Sequence, residues 1–362
     1  MIRVPGAMLW VGQRLPFDVF SRDGLPLLLR GRLIANHEQL AMIRGEGYFV
    51  PRTDGGISVF SAINALSIRL DILFQDVRGA HEAGIFSRRV SLLARDLIGL
   101  VDCDPDAAFA TVHLDIHHSY IVVHSMMAAI VACRLALAKG FDRDERLSIV
   151  CAALTHDLGL LAMEGLISGR DFLNDTEMAR VREHVDDAVS LLQRLGVQDA
   201  RWLEAVRHHH EFLDGSGYAG VDARALSIGS RIMALADSYS AMLRPRPYRD
   251  RMLAHKALEN LYANETDRYD SFLVETLIWD YGFYPPGSML RLVNREMAVA
   301  IRNSPGILDS PVVALVTDSA GNAFSRPVFR NANDREYAIA EPLDPGFFAR
   351  SGHALEECWI AS

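Results

Sequence analysis

Histidines and aspartates of the kind that bind metals recur in the middle of the chain. Nine of the thirteen histidines lie between His113 and His210. Imidazole nitrogens and carboxylate oxygens without a thiolate suit Fe, Mn or Zn. An aspartate beside a histidine can span two metals, and two metals a few ångströms apart activate water and stabilise the charge of phosphodiester cleavage. Five segments supply the candidate ligands, which are His124, His156 with Asp157, His184, His209 with His210, and Asp237.

Each of these residues also has an ordinary structural interpretation. A single histidine on an apolar helix face is usually a core residue with a satisfied ring, and His-Asp pairs occur by chance. The order and spacing of all seven together favour the metal site. Four further histidines are interpreted as surface or supporting residues, namely His113, His117, His118 and His208.

Three strings resemble the HD-GYP branch of the HD phosphohydrolase superfamily. They are "HDLGL" at 156–160, "HHEFLDGSGYA" at 209–219 and "RIMALADSYSAMLRPRPYR" at 231–249. The resemblance covers about residues 110–290. It implies a mainly α fold, an HD-domain helical bundle, with small β segments at both termini. It also implies an enzyme that hydrolyses cyclic di-GMP to linear pGpG, and then to GMP if both steps occur.

The resemblance assigns roles to individual residues. It makes the seven residues above the ligands of two divalent metal ions, with Asp157 bridging and His156 with Asp157 as the catalytic pair. Iron or manganese is expected, with Zn, Mg and Ni as alternatives. Tyr120 stands where some relatives carry a glutamate for a third metal, which favours two. The expected substrate-binding residues are Gly215, Gly217 and Tyr218 in the signature loop, and Arg246 and Arg249 on the phosphate.

Three positions depart from the family pattern. Leu160 replaces a lysine thought to act near the scissile phosphate, Ala219 replaces the proline of GYP, and Ser240 replaces a residue that is often acidic. Two alternatives therefore stay open. One is a catalytically weak or inactive protein that senses a cyclic dinucleotide or binds other proteins, and the other is an enzyme for a different cyclic dinucleotide or a nucleotide monophosphate. Expected partners are cyclic di-GMP, signalling proteins such as diguanylate cyclases, and a second copy of the chain.

Hydrophobic periodicity divides the chain into elements that would hold these residues. From about residue 61, apolar residues recur at intervals of three and four residues. Near both ends of the chain, apolar and polar residues alternate. We predict a β-rich segment at 1–60, a helical connector at 61–110, the catalytic domain at 111–302 and a β-hairpin segment at 303–362. Turns at Asp23-Gly24 and at 320–322 predict hairpins, and Asp104 before Pro105 predicts a helix start. We expect the two terminal β segments to pack together as one sheet or barrel.

Composition limits the class of protein. A net charge of -9 argues against binding nucleic-acid polymers. The four scattered cysteines fit reduced thiols, and the N-terminus lacks a signal-peptide pattern, so we expect a cytoplasmic protein. The apolar stretch 120–138 contains His124 and Arg134, and is interpreted as a buried helix and not a membrane span.

Overall fold

Helices fill the middle of the chain, and strands lie towards both ends, as the mainly α interpretation predicts. The computed structural model describes residues 2–3, 19–21, 26–28, 32–46, 48–49, 58–78, 85–163, 174–244, 251–265, 267–304, 306–344, 355 and 357–360. Its α-helices are α1 (His37–Glu46), α2 (Val59–Arg78), α3 (Phe86–Cys103), α4 (Pro105–His113), α5 (Tyr120–Ala138), α6 (Arg143–Thr155), α7 (Asp175–Arg182), α8 (His184–Arg194), α9 (Ala200–Arg207), α10 (Ile228–Met242), α11 (Ala254–Ala263), α12 (Ser271–Tyr281) and α13 (Glu357–Ile360). A 3₁₀ helix at His156–Met163 follows α6 directly.

Short polar side chains fix where several helices begin. Asp104 accepts a hydrogen bond from the Ala107 backbone N–H at 3.0 Å, with Pro105 at the first helical position of α4. This confirms the predicted helix start. Asp142 and Glu145 form a reciprocal capping box at the start of α6, so the helix that ends at the His-Asp pair has a fixed origin.

Helix α5 is the central helix of the bundle. It packs against α6 on one side and α10 on another, and it also contacts α4 and α12. By length and composition α5 is apolar enough to cross a membrane, but 83% of that stretch is buried inside the protein. A helix surrounded by other helices is apolar on all faces, which explains its composition. This agrees with the interpretation of 120–138 as a buried helix.

The predicted connector is part of the main core. Helices α2 and α3 pack against each other, and α3 also packs against α6. Arg69 pairs with Asp96 at 2.6 Å and Arg89 pairs with Asp76 at 2.6 Å, which joins α2 and α3 at two levels. Buried residues from α2 to α12 form one continuous apolar cluster.

The strands form two separate sheets. They are β1 (Ile2–Arg3), β2 (Val19–Phe20), β3 (Pro26–Leu28), β4 (Tyr48–Phe49), β5 (Met289–Leu292), β6 (Met297–Ser304), β7 (Ile307–Thr317), β8 (Ala323–Asn331) and β9 (Ile339–Leu343). The first sheet has the order β1-β4-β2-β3 and the second β8-β7-β6-β5-β9. Antiparallel β2–β3 and β7–β8 confirm both predicted hairpins, although Asp23 and Gly24 themselves lie outside the described residues.

Two expectations about the β segments were wrong. No hydrogen-bonded pairing among the described strands joins the two sheets, so the terminal segments do not form one sheet or barrel. The second sheet begins at Met289 and not near 303, because β5 and β6 lie within the range expected to be helical. With five strands this sheet supplies its own apolar partners, so it does not need strands from the N-terminal segment.

The second sheet buries side chains on both faces. Val299 and Ile301 join the main core, whereas the alternate residues Ala298 and Ala300 line a second, smaller cluster. This alternation follows from the two-residue period of a strand. Strand β6 is joined to α4 through Arg302, which contacts Asp104 at 3.1 Å.

Candidate metal centre

The seven predicted ligands come from five segments that meet around α5. His124 lies in α5, the His156-Asp157 pair begins the 3₁₀ helix after α6, His184 begins α8, His209 and His210 follow α9, and Asp237 lies in α10. Six of the seven are buried, and only His210 is partly exposed. Because α6 and α10 both pack on α5, residues far apart in sequence share one site.

Asp237 faces histidines from three other segments. Its Oδ1 lies 2.9 Å from His124 Nε2 and 3.4 Å from His156 Nε2. Its Oδ2 lies 3.5 Å from His210 Nδ1. The two oxygens of one carboxylate therefore face different groups of histidines.

Asp157 makes a similar connection from the other side. Its Oδ2 lies 3.5 Å from His124 Nε2 and 3.7 Å from His156 Nε2. Its Oδ1 lies 3.5 Å from His184 Nε2. The sequence predicted one bridging carboxylate, Asp157, whereas the geometry gives two that are suited to the task.

The histidine nitrogens converge on two points. His124 Nε2 and His156 Nε2 are 3.3 Å apart, and His184 Nε2 and His209 Nε2 are 3.2 Å apart. Lone pairs this close suit a shared cation or proton. The ligand atoms form two compact groups, each within 4.8 Å, namely His124 with His156 and Asp157, and His184 with His209 and His210.

Backbone carbonyls orient three of the imidazoles. His156 Nδ1 lies 2.8 Å from the carbonyl oxygen of Ala153, three residues upstream. His184 and His209 make the same contact with the residue three positions before each, at 2.5 and 2.6 Å. When Nδ1–H donates to a carbonyl, the Nε2 lone pair points into the site, as in many metal-binding histidines.

Two histidines are held differently. His124 Nδ1 is buried and finds no hydrogen-bond partner among the described residues, while the Tyr120 ring stacks on the imidazole at 5.3 Å. His210 turns Nδ1, and not Nε2, towards Asp237. Tyr120 therefore packs on the ring of His124, and the expected number of metals stays a prediction.

The charges of the site depend on one another. Burial lowers the pKa of His156, but the neighbouring Asp157 and Asp237 more than offset this and raise the pKa to about 9. Burial raises the pKa of Asp157, but the surrounding histidines, His156 first, hold it well below its usual range. Asp237 has a lowered pKa as well, because hydrogen bonds from His124 and His156 outweigh the effect of its burial. Both carboxylates are therefore ionised at neutral pH.

The second histidine group has the opposite tendency. Burial lowers the pKa of His210 to about 4, against the opposing effect of Asp237. Burial, followed by the charge of His210, keeps the pKa of His209 well below its ordinary value. Neutral imidazoles and ionised carboxylates are the forms that bind metal. Oxygen and nitrogen donors in this geometry fit two divalent ions of the Fe, Mn or Zn type.

The signature loop is fixed over the site by Glu211. Glu211 is buried, its Oε1 accepts a hydrogen bond from the Ala219 N–H at 2.8 Å, and its Oε2 accepts one from the Val221 N–H at 2.9 Å. Gly217 lies so close that a Cβ there would be 2.5 Å from Glu211 Oε2. The loop thereby packs Tyr218 on His210, with ring centroids 4.4 Å apart.

The role of Glu211 was not predicted from the sequence. The available signal was a carboxylate directly before a glycine-rich loop, whose backbone N–H groups need acceptors. Gly215, by contrast, has φ +74° with open space around it, so it serves the turn and not the close contact. Tyr218 lies against His210, and its role beside the substrate stays a prediction.

The sequence also singled out two arginines, Leu160 and Ser240. Arg246 and Arg249 lie outside the described residues, so their role stays a prediction. Leu160 is partly buried and packs against the main core. Ser240 donates its hydroxyl to the Ala236 carbonyl at 2.7 Å, within its own helix.

The four remaining histidines do not join the ligand groups. His113 is buried against the Pro286 carbonyl, with Nδ1 at 3.1 Å, and His118 pairs with Asp115 at 2.6 Å. His117 and His208 likewise lie outside the two groups. The interpretation of these four as supporting or surface residues is consistent with their positions.

Comparison with known proteins identifies the domain that contains these seven residues. The HD domain family matches residues 112–273. Cyclic di-GMP phosphodiesterase PA4108 of Pseudomonas aeruginosa is 27% identical over 245 residues, which are 67% of this chain and 58% of that protein. 3'3'-cGAMP-specific phosphodiesterase 1 of Vibrio cholerae is 30% identical over 169 residues, which are 46% of this chain and 39% of that protein.

Two further proteins extend the comparison. Cyclic di-GMP phosphodiesterase response regulator RpfG of Xanthomonas campestris is 32% identical over 161 residues, 42% of this chain and 40% of that protein. The chain thus matches three fifths or less of the length of these relatives. The solved structure of Bd1817, an HDG"Y"P protein from Bdellovibrio bacteriovorus, has a TM-score of 0.53 at 13% identity and covers 76% of this chain and 97% of its own, a likeness of fold. The chain thus matches the HD domain family at residues 112–273.

Proposed function

We propose that this HD domain is a metal-dependent phosphodiesterase that opens cyclic di-GMP to linear pGpG. The observation that carries the proposal is the pair of carboxylates, Asp157 and Asp237, each facing both histidine groups. Such a pair is what a site for two adjacent cations requires. Relatives of modest identity bear the names of cyclic di-GMP and 3'3'-cGAMP phosphodiesterases, which supports the substrate class.

The proposed ligands divide between two ions. His124 and His156 would hold one ion and His184, His209 and His210 the other, with Asp157 and Asp237 shared. When bound, such a pair of ions supplies a nucleophile from water and Lewis-acid stabilisation of the phosphate. Iron or manganese is the proposed pair, with zinc, magnesium and nickel as alternatives.

The residues of the chain itself perform the remaining tasks. The backbone carbonyls behind three histidines hold the rings in one orientation, so little rearrangement is needed when ligand enters. The loop fixed by Glu211 holds Tyr218 against His210. Leu160 has no proton to give, so the leaving 3′ oxygen must take its proton from solvent, and we expect slow turnover.

A non-hydrolysing cyclic-dinucleotide sensor is the second candidate. Two observations favour it, namely the apolar Leu160 and the hydroxyl of Ser240, which is bonded to its own helix. The seven intact donors favour the enzyme, because a protein that only binds ligand has no need of two histidine groups around two carboxylates.

Product analysis separates the candidates. The full chain, loaded with Mn²⁺ or anaerobically with Fe²⁺, is incubated with cyclic di-GMP and separately with 3'3'-cGAMP, and products are resolved by chromatography. We expect linear pGpG from the wild type and none from the His156→Ala/Asp157→Ala double variant. If the wild type binds cyclic di-GMP but turns over no faster than the double variant, the protein is a sensor. Faster turnover of 3'3'-cGAMP than of cyclic di-GMP would change the proposed substrate but leave the protein a phosphodiesterase.

A further inference from the structure

Arg182 lies at the rim of the metal centre, on the last turn of α7. Its guanidinium carbon is 5.5 Å from the centroid of the Tyr218 ring. Tyr218 in turn lies against His210, with centroids 4.4 Å apart. The exposed guanidinium is therefore separated from a proposed metal ligand by a single aromatic ring. A cation over an aromatic face is held there by the ring quadrupole.

Within the described part of the chain, Arg182 differs from Arg180 on the same helix in having no acidic partner. Arg180 pairs with Glu183, and its other terminal nitrogen lies 3.5 Å from Asp187. Arg182 forms no ion pair with any residue in the described part of the chain. Its positive charge is thus uncompensated beside a site that would receive an anionic ligand.

Position 160, where the sequence lacks a cation, borders the same segment. The backbone of Gly159 packs so tightly on the backbone of His184 that a Cβ at 159 would overlap the His184 carbonyl. Leu160 is thus next in sequence to a residue that packs on His184, and Arg182 is two residues before His184. A phosphate that enters here finds no charge at Leu160, whereas Arg182 offers a cation that has no ion-pair partner among the described residues.

We propose, on the basis of the proposed function, that Arg182 binds a phosphate group of the cyclic dinucleotide. The planar guanidinium offers two parallel N–H groups to two phosphate oxygens, and the Tyr218 ring limits its motion. A cyclic dinucleotide carries two phosphates on opposite sides of one ring. When one phosphate lies at the metal centre, the other remains for a cation at the rim.

Binding measurements on matched variants test this role. The full chain loaded with Mn²⁺ is titrated with cyclic di-GMP by calorimetry, and its metal content is measured in parallel. Arg182→Gln should raise the dissociation constant roughly 10- to 100-fold, whereas Arg182→Lys should keep part of the affinity. Arg180→Gln removes the same charge two positions away and should bind within about twofold of wild type. All variants should hold the same amount of metal.

A second ligand identifies the group that is bound. The loss for Arg182→Gln should be the same with 3'3'-cGAMP, because the two ligands share their phosphates and differ in a base. A loss confined to cyclic di-GMP would assign Arg182 to guanine and overturn the phosphate contact. Equal losses for Arg180→Gln and Arg182→Gln, or loss of metal from Arg182→Gln, would also overturn it.

These results are separable from the outcome for catalysis. If the wild type binds cyclic di-GMP without cleaving it, the proposed phosphodiesterase activity is wrong. The comparison of Arg182→Gln with Arg180→Gln still shows whether Arg182 binds the phosphate. A wild type that binds neither dinucleotide overturns both proposals.

Discussion

Asp237 Oδ1 lies 2.9 Å from His124 Nε2, although the two residues are 113 positions apart in sequence. The other oxygen of the same carboxylate faces His210. Asp237 therefore connects α5 and α10 to the segment after α9. In the proposed function, this carboxylate is shared by the two cations.

Asp237→Asn should remove most of the bound metal, because the amide lacks the negative charge and one of the two oxygen acceptors. Loss of residues behind a ligand costs roughly 10- to 100-fold in metal affinity, and loss of a ligand should cost at least as much. We expect metal content to fall from two ions per chain to one or none, as measured by mass spectrometry, and turnover to fall about 100-fold or more. Ser240→Ala, in the same helix, is the matched control and should keep the metal content and the turnover of the wild type. An Asp237→Asn protein with two ions would exclude Asp237 as a ligand.

Leu160→Lys should raise the rate of hydrolysis. Leu160 is only partly buried, so the aliphatic part of a lysine can cover the same surface while its ammonium reaches solvent. A positioned charge at a developing oxyanion is typically worth ~10²–10³ in rate. We expect a rise in kcat of about 10-fold or more, with Leu160→Met unchanged. Equal rates for the lysine and methionine variants would show that this position does not contact the reacting phosphate.

Glu211→Gln should loosen the signature loop. A glutamine keeps one carbonyl oxygen, but its NH₂ group cannot accept a hydrogen bond, so one of the Ala219 and Val221 N–H groups loses its acceptor. A buried group without its partner costs roughly 1–3 kcal/mol. We expect lower thermal stability together with a raised KM, because Tyr218 is no longer held on His210. Asp214→Asn, in the exposed part of the same loop, serves as control, and an unchanged KM in Glu211→Gln would contradict the role.

His113 should make the free energy of unfolding depend on pH. Burial is the main cause that lowers its pKa to about 4, against an ordinary value of 6.5. The unfolded chain therefore binds a proton between about pH 6.5 and pH 4 that the folded protein does not. The free energy of unfolding is therefore unaffected by the titration of His113 above pH 6.5. It falls as the pH decreases towards 4, by up to roughly 3 kcal/mol. Urea unfolding of wild type and of His113→Asn at pH 6.5 and at pH 4 measures this loss of stability. Subtracting the free energy of one protein from that of the other cancels the contribution of the other histidines. A difference independent of pH would refute the prediction.

The sequence by itself determined the features that depend on neighbours a few residues away. The start of α4 follows from Asp104 and Pro105, because a cap and a fixed φ act locally. The two hairpins follow from turn residues between apolar runs. The composition of α5 indicated a buried helix with a histidine on it. The order of the His and Asp motifs was enough to group seven donors, although their roles as ligands stay a prediction.

The tertiary structure decided what depends on packing between distant segments. That Asp237 faces both histidine groups, as Asp157 does, follows only from the approach of α10 to α5, which no local pattern encodes. The two sheets are separate because the C-terminal strands find apolar partners among themselves and on the helices. The sequence does not choose between these pairings, because the competing strands have similar compositions. Arg182 looked like an ordinary exposed arginine in the sequence. Its meeting with Tyr218 results from the loop that Glu211 holds, because a side chain's environment is set by the contacts of the whole fold.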